Sequence, residues 1–353
     1  MTAAGSFDHA HRHSRQVRFA SVGAEGQRRL GAGRVVVVGC GALGTASAMA
    51  LLRSGVGTAG GFLRLVDRDL PETSNLPRQI LFDEADVAAG FPKAAAARRR
   101  LEAIDSSARI EAVVADLTAT NASDLLAGAD VIVDGTDNFE ARFLINEWAC
   151  RAGVPWVHGG AISAEGRVMT VVPGRTACLR CLVPEPPAAG ALPTCDTAGI
   201  IGPAAFVVGA VQAAETMKLL VEGTATARPV LLAFDLWEGR WRSVDLSQLA
   251  AAGCPTCRDG DSPWLEGRLG GRTTVLCGRD AVQVASSTAA RADLASIADR
   301  LRPAGRVTVN EWLVRAEVEP GITLSIFADG RAIVQGTRDE SRARGLLARY
   351  VGS

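Results

Sequence analysis

The run VVVVGCGALG, Val35 to Gly44, closes on the pattern Gly39-x-Gly41-x-x-Gly44. Glycines at that spacing, after a β-branched strand, let the backbone approach a polyphosphate lying at the N-terminus of the next helix. Asp67 follows in LVDRD, at the end of the next apolar run, where a carboxylate accepts hydrogen bonds from a ribose. Both features suit NAD and ATP equally, so hydride transfer and nucleotidyl transfer stay open on these residues alone.

The next stretches favour the second. DRDLPETSNLPRQILF sets Asp69, Asn75, Arg78 and Gln79 behind the ribose-reading position, and Lys93 opens a helical pattern. VDGTDN then places Asp134 and Asp137 at the end of a later strand. Nucleotidyl transfer needs cations and a metal-binding carboxylate around the phosphates, because charge builds on their oxygens and on departing pyrophosphate. An NAD-dependent oxidoreductase leaves these groups without a task. Singly, each has an ordinary explanation: Asp69 capping a turn, Arg78 in a surface ion pair, Lys93 solvated. Their joint order on one scaffold carries the argument.

Eight cysteines add a second chemistry. Cys178 and Cys181 in CLRC, with Cys254 and Cys257 in CPTC, offer two thiolate pairs from separate loops, enough for a tetrahedral zinc site. A redox C-x-x-C normally sits singly at a helix start, so structural zinc is the better reading. Cys195, in TCDTAG, is unpaired, lies in the loop before the long apolar segment and by itself reads as a small loop residue. Cys277, in LCGRD, reads as a core or incidental cysteine, since the unit around it is too short and differently patterned for a rhodanese. His9, His11 and His13 read as a solvated terminus rather than a metal site, and His158 as structural.

The elements needed to position these residues are legible. RVVVV, FLRLVD, RIEAVVAD and DVIVDGTD read as strands; ALGTASAMALLRSG, KAAAARRRLEAI and NFEARFLINEWACRAG read as helices. The alternation predicts an α/β fold: a Rossmann-like, mostly parallel sheet with helices on both faces. Past Pro155, WVHGGAISAEGRVMTVV predicts paired strands around a Glu-Gly turn, and VLLAFDLWEGRWRSVDL a further antiparallel hairpin. The segment Pro203 to Val221 is interrupted by Gln212, Glu215 and Lys218 and reads as a buried or interfacial helix. The expected organisation is a flexible 1–14, a catalytic domain over 15–261 with a break near Ser262-Pro263, and a small α+β domain over 264–353. There, Leu294, Ile297, Ala298 and Leu301 share a helix face and Asp329-Gly330 turns a hairpin.

Lys+Arg and Asp+Glu balance at 38 each in 353 residues, which argues against nucleic-acid or membrane-surface binding. No secretory h-region opens the chain, so a cytoplasmic protein is expected.

With GCGALG, DRD, SNLPRQILF, PKAAAA, DGTDNFEARFLIN, GGAISAEGRV, CLRC and TCDTAGIIGP in this order, the chain resembles the ThiF/MoeB family. These are bacterial relatives of the ubiquitin-activating enzymes, and they adenylylate the C-terminal glycine of small ubiquitin-like (β-grasp) sulfur-carrier proteins. The likeness runs from SRQVRF through CPTC. It implies that Gly39, Gly41 and Gly44 shape an ATP turn, with Asp67 on the ribose and Asp69 and Asn75 in the nucleotide site. Arg15, Arg78 and Lys93 would balance phosphate charge, Arg78 reaching across from the partner subunit of a homodimer, and Asp137 would hold Mg²⁺. A cysteine matching Cys195 takes part in sulfur transfer in some members and is dispensable in others, so the resemblance implies for Cys195 either a covalent sulfur relay or no more than a small loop residue. The final unit resembles the extension of thiamine-type members, which implies a thiazole sulfur carrier and a cysteine-desulfurase-type sulfur donor. A molybdopterin-synthase carrier or one serving a specialised metabolite is the alternative. A non-catalytic subunit would have lost an ATP-site residue, and none is lost.

Overall fold

The four valines of Val35–Val38 form the central strand because both of its faces are covered; all four are buried, as expected for a continuous apolar run in a parallel sheet. The computed structural model describes residues 9–187, 195–251, 253–270, 280–284 and 292–351. In the first unit, strands β1 (Arg34–Val38), β2 (Phe62–Val66), β3 (Ile110–Val113), β4 (Val131–Asp134), β5 (Trp156–Ile162), β6 (Glu165–Val171), β7 (Val230–Asp235) and β8 (Arg240–Asp245) make one sheet. Its order is β3-β2-β1-β4-β5-β6-β7-β8. Pairing is parallel from β3 to β5 and antiparallel from β5 to β8.

Helices cover both faces, as the alternation predicts. Helix α1 (Ala42–Arg53) leaves β1, and α2 (Lys93–Ile104) precedes β3. On one face, Phe143, Leu144 and Ala149 of α3 (Phe139–Ala152) pack with Val36, Ile132 and Trp156. On the other, Ala205 and Val208 of α4 (Gly202–Glu222) pack with Leu43, Val131 and Val157. A Cβ on Gly209 would lie 2.5 Å from that of Ala46, so a side chain there would push α4 off α1. By length and composition α4 is apolar enough to cross a membrane, yet it packs on α1 and the sheet, as the buried-helix reading anticipates.

The chain divides into two compact units, 1–88 with 93–270, and 89–92 with 271–353. In the second, strands β9 (Ala281–Val284), β10 (Val307–Val309), β11 (Leu313–Glu319), β12 (Ile322–Phe327) and β13 (Ala332–Gln335) form an antiparallel sheet, ordered β10-β11-β12-β13-β9. Helices α5 (Leu294–Leu301) and α6 (Glu340–Tyr350) join its core through Ile297, Leu301 and Leu346, against Val314, Leu324 and Val334. Asp293 and Asp339 cap these helices through their side chains.

Three local readings shift. The β5–β6 connection turns at Ser163-Ala164, with Ser163 at φ +52, while Glu165 and Gly166 belong to β6. Gly166 is in the strand because a Cβ there would strike the Phe234 ring. At the N-terminus, Arg12 pairs with Asp105 at 3.0 Å and His13 is buried beside Gly55, so the solvated terminus does not extend to His13. Trp264 and Leu265, beyond the sequence break at Ser262-Pro263, donate their backbone N–H groups to Glu147 in the first unit.

Candidate functional site

The parallel strands put the chemistry-bearing loops at one edge. The glycine turn follows β1, Asp67 follows β2, and the Asp134–Asp137 loop follows β4. The chain runs from β1 outward through β2 to β3 and then crosses back to β4 on the other side of β1, so the strand order reverses between β1 and β4, the point at which open α/β sheets bind ligands. The glycines have different reasons. Gly39 has φ +88, and a Cβ on it would meet the Gly135 carbonyl at 2.6 Å. A Cβ on Gly44 would fall 1.8 Å from the Gly39 oxygen. Gly135, in turn, packs its backbone against Gly39 and Gly44. Gly41 is unlike these: a Cβ there would come no nearer than 3.7 Å to any group outside the turn. Nothing within the fold demands glycine at 41, which fits a ligand's approach to the turn.

Side chains close this space. Asp67 braces the turn: Oδ2 accepts from the Cys40 N–H at 2.6 Å and Oδ1 from the Asp69 N–H at 2.7 Å. Each carboxylate oxygen keeps a further lone pair, the capacity a ribose hydroxyl would use. Burial pushes the Asp67 carboxyl up, and Lys93 opposes this. Burial, with Asp67 beside it, also pushes the Cys40 thiol well up and leaves it inert. Lys93 opens α2 at 3% exposure, with Nζ 3.6 Å from Asp69 Oδ2 and its backbone N–H on the Asp69 carbonyl at 2.8 Å. The Gln79 amide is buried beside Gly41, and its Oε1 has no hydrogen-bond partner. The Gln79 amide nitrogen on the side of Gly41, a cation held at 3% exposure and an open glycine are together what a bound polyphosphate would use, while the orphaned Oε1 could accept only from a hydroxyl or amino group of a nucleotide.

Arg68 was given no role by sequence. It pairs with Asp116 at 2.6 Å and lies by Asp69 at 3.8 Å. Burial works against its charge, but Asp116, Asp69 and Asp137 together raise its pKa. It lies inside DRD, where spacing could not separate a surface arginine from one facing the Asp137 loop. Asp137 is exposed at that loop, within 3.4 Å of Asn138 Nδ2. Asn75 is buried and accepts from the Glu72 N–H at 3.1 Å in a reciprocal cap. Arg78 donates to the Ser74 carbonyl at 2.7 Å, and Arg15 is exposed. Among the described residues of this chain, no hydrogen bond or ion pair joins Arg15 or Arg78 to the glycine turn.

Beneath the loop lies a polar network whose members Asp134, His158 and Gln212 stand out in the sequence only singly. Asp134 Oδ2 is 2.7 Å from His158 Nδ1 and 3.3 Å from Arg142 Nε, while Oδ1 accepts from the Thr136 hydroxyl at 2.6 Å. Gln212 of α4 donates to the Asp134 and Val157 carbonyls at 2.7 and 3.1 Å. Burial raises the Asp134 carboxyl, but Arg142 and then His158 outweigh it, and the net shift is downward. Burial lowers the His158 pKa against the pull of Asp134. The pair is thus a carboxylate and a neutral imidazole donating from Nδ1. With its folded pKa depressed, His158 leaves stability intact above its ordinary 6.5 and removes it as pH falls below. Asp134 acts the same way at lower pH. The Tm is therefore expected to fall as pH drops below 6.5. His158→Gln, which keeps a donor to Asp134, should flatten the first part of that fall; an unaltered Tm–pH profile would remove His158 as its source.

The four paired cysteines converge. Sγ–Sγ distances are 3.7 Å for Cys178–Cys254, 3.8 Å for Cys178–Cys181 and 3.6 Å for Cys181–Cys257, and all four sulfurs lie within 4.8 Å of one another. A tetrahedron with Zn–S bonds of about 2.3 Å has edges of about 3.8 Å, so the residues fit zinc. Arg180 joins the two knuckles, reaching Thr256 Oγ1 at 3.2 Å and Asp261 at 3.1 Å. The Cys178 thiol is pulled down to about 4, first by a hydrogen bond from Cys150 and, against burial, by one from Asn146. Cys195 begins a short helix, Cys195–Ala198. Its side chain, and Cys277 altogether, lie outside the described residues.

The ThiF family model matches residues 13–256. The chain is 42% identical to the sulfur carrier protein ThiS adenylyltransferase of Bacillus subtilis, over 97% of this chain and 99% of that protein. It is 39% identical to the sulfur carrier protein adenylyltransferase of Thermus thermophilus, over 71% of this chain and 91% of that one. Among solved structures, E. coli MccB with AMPCPP and SeMet MccA superposes with a TM-score of 0.60 at 24% identity, over 72% of this chain and 76% of that chain. That likeness supports the fold alone.

Proposed function

Because this chain belongs to the ThiF family, we propose that it uses ATP to adenylylate the C-terminal glycine carboxylate of a small ubiquitin-like sulfur-carrier protein. One observation carries the reading: open Gly41, buried Lys93 and the buried Gln79 amide, its nitrogen on the side of Gly41, meet at the switch point of the sheet. The nucleophile brings its own charge. A terminal carboxyl with a pKa of about 3.5 is ionised at neutral pH, so no general base is needed. Its oxygen bonds to the α-phosphorus as the bond to the bridging oxygen breaks. That bond's electrons leave with pyrophosphate, and the product is an acyl-adenylate. The difficulty is bringing an anion to a polyanion, and buried Lys93, with the partly exposed Arg68, supplies positive charge at that edge. Mg²⁺, when bound, neutralises charge on the phosphates; Asp137 is the carboxylate that would hold it.

The thiazole carrier of thiamine biosynthesis is the substrate this reading prefers, on the Bacillus relative that spans nearly the whole chain. A cysteine-desulfurase-type donor would then supply sulfur for a thiocarboxylate. A cytoplasmic homodimer completes the scheme, with Arg78, tied here only to its own Ser74, reaching the partner's site. Mixing an Arg78→Ala subunit with a Lys93-defective one tests this: restored activity supports a shared site, and none overturns it.

The adenylylation test is mass spectrometry of candidate carriers incubated with the protein, ATP and Mg²⁺, with pyrophosphate followed in parallel. An AMP-sized adduct on one carrier supports the reading and identifies the pathway. Neither adduct nor pyrophosphate, despite ATP binding, would overturn it. Cys195→Ser is expected to leave carrier-dependent pyrophosphate release unchanged, because no thiol takes part in that step. Sulfur incorporation should fall if Cys195 relays sulfur; a lost adenylylation signal would contradict the separation of steps.

A further inference from the structure

We propose that Asn146 is a positioning residue of the four-cysteine metal centre: its amide N–H holds the Cys178 sulfur as a ligand and so slows release of the ion. The inference rests on the zinc reading of the cysteines. Asn146 lies in the second half of α3 at 0% exposure. Its Nδ2 donates to Cys178 Sγ at 3.6 Å, and its Oδ1 accepts from the backbone N–H of Leu179 at 2.8 Å. One side chain therefore grips both the ligand sulfur and the peptide next to it, which fixes the direction in which the sulfur points. Partners that orient a ligand in this way commonly change metal affinity 10–100-fold when removed.

The electrostatics explain why Cys178 needs such a partner. Four thiolates around a divalent ion leave a net charge of −2. Cys181 and Cys257 are partly buried, whereas Cys178 and Cys254 are fully buried. The Arg180 cation is taken up by Asp261. Excess charge on Cys178 is thus stabilised by donors from α3: Asn146 and, one turn on, the Cys150 thiol. The same helix clamps the chain beyond the second knuckle, where Glu147 Oε2 accepts from the Trp264 and Leu265 N–H groups at 2.9 and 2.8 Å. Sequence reading assigned the ligands; nothing in their spacing pointed to Asn146, 32 residues before Cys178.

Zinc release from the full-length, zinc-loaded protein to a chromophoric chelator tests the idea, beside the absorption of the cobalt-substituted protein. Asn146→Asp keeps the shape and the acceptor for the Leu179 N–H but loses the donor to sulfur. Asn146→Leu loses both without adding charge. Both variants are expected to release zinc about 10–100-fold faster, and both should shift the sulfur-to-cobalt charge-transfer band to lower energy. Faster release from Asn146→Asp alone would point to added charge and overturn the proposal, as would wild-type rates and an unmoved band in both. The same acceleration by both variants in a Cys150→Ser background separates Asn146 from its neighbour; its disappearance there would also overturn the assignment. If the unaltered protein binds neither zinc nor cobalt, the metal reading itself fails, which is a different result.

Discussion

Lys93→Met is expected to lower carrier-dependent pyrophosphate release by about 10²–10³, the loss that follows removal of one preorganised charge stabiliser from a desolvated site. The size follows from position. Lys93 is 3% exposed and faces the Asp69 carboxylate at 3.6 Å, at the edge where the glycine turn opens. Water therefore cannot replace its charge as it would at a surface lysine. Methionine keeps much of the stem's volume, so the charge is the main change. Removing one partner of a buried charge set also destabilises, by roughly 3–5 kcal/mol in well-studied pairs. The assay therefore belongs beside a melting curve, at a temperature where both proteins are folded. A folded Lys93→Met protein with near wild-type pyrophosphate release would end the nucleotidyl-transfer reading of this edge.

Loss of the metal is the second large effect. Cys254→Ser, or exhaustive chelation, is expected to lower the Tm by more than about 10 °C. Structural zinc contributes on the order of 10 kcal/mol in small fingers, and each kcal/mol moves Tm by about 2–4 °C in chains of 150–250 residues. The first unit, 1–88 with 93–270, lies at the lower end of that range, at about 2 °C per kcal/mol, so about half of that contribution gives a shift of this size. The two knuckles bring together residues 178–181 and 254–257, and Cys178 and Cys254 lie within the core that also holds Phe143 and Trp156. Without an ion, four thiols remain where charge was compensated, and the knuckles keep weak thiol contacts, apolar packing and the Arg180 link to Thr256 and Asp261. Differential scanning calorimetry with and without chelator reads the effect directly. An unchanged Tm after verified metal loss would make the cluster dispensable to the fold.

The sequence by itself determined the features that local rules encode. Four valines followed by glycines at fixed spacing specify a buried strand and a tight turn, and the structure places both as read. The alternation of strand and helix determined the parallel half of the sheet, because hydrophobic period and turn chemistry act over a few residues. The C-x-x-C pairs were legible because each pair is a local motif, even though the pairs lie far apart.

Tertiary structure decided what each polar residue does. Asp67 holds the Cys40 N–H, 27 residues away. Asp134 collects His158 from β5 and Arg142 from α3, while Gln212 of α4 takes its carbonyl. Gln212 had registered only as a polar interruption in an apolar run, and Asn146 had not registered at all. The physical reason is common to them. Burying a polar group is unfavourable unless it finds a hydrogen-bond partner, and here those partners sit on other elements. Spacing along the chain determines which face of a strand or helix a residue occupies; only the packing of those faces determines what the residue touches.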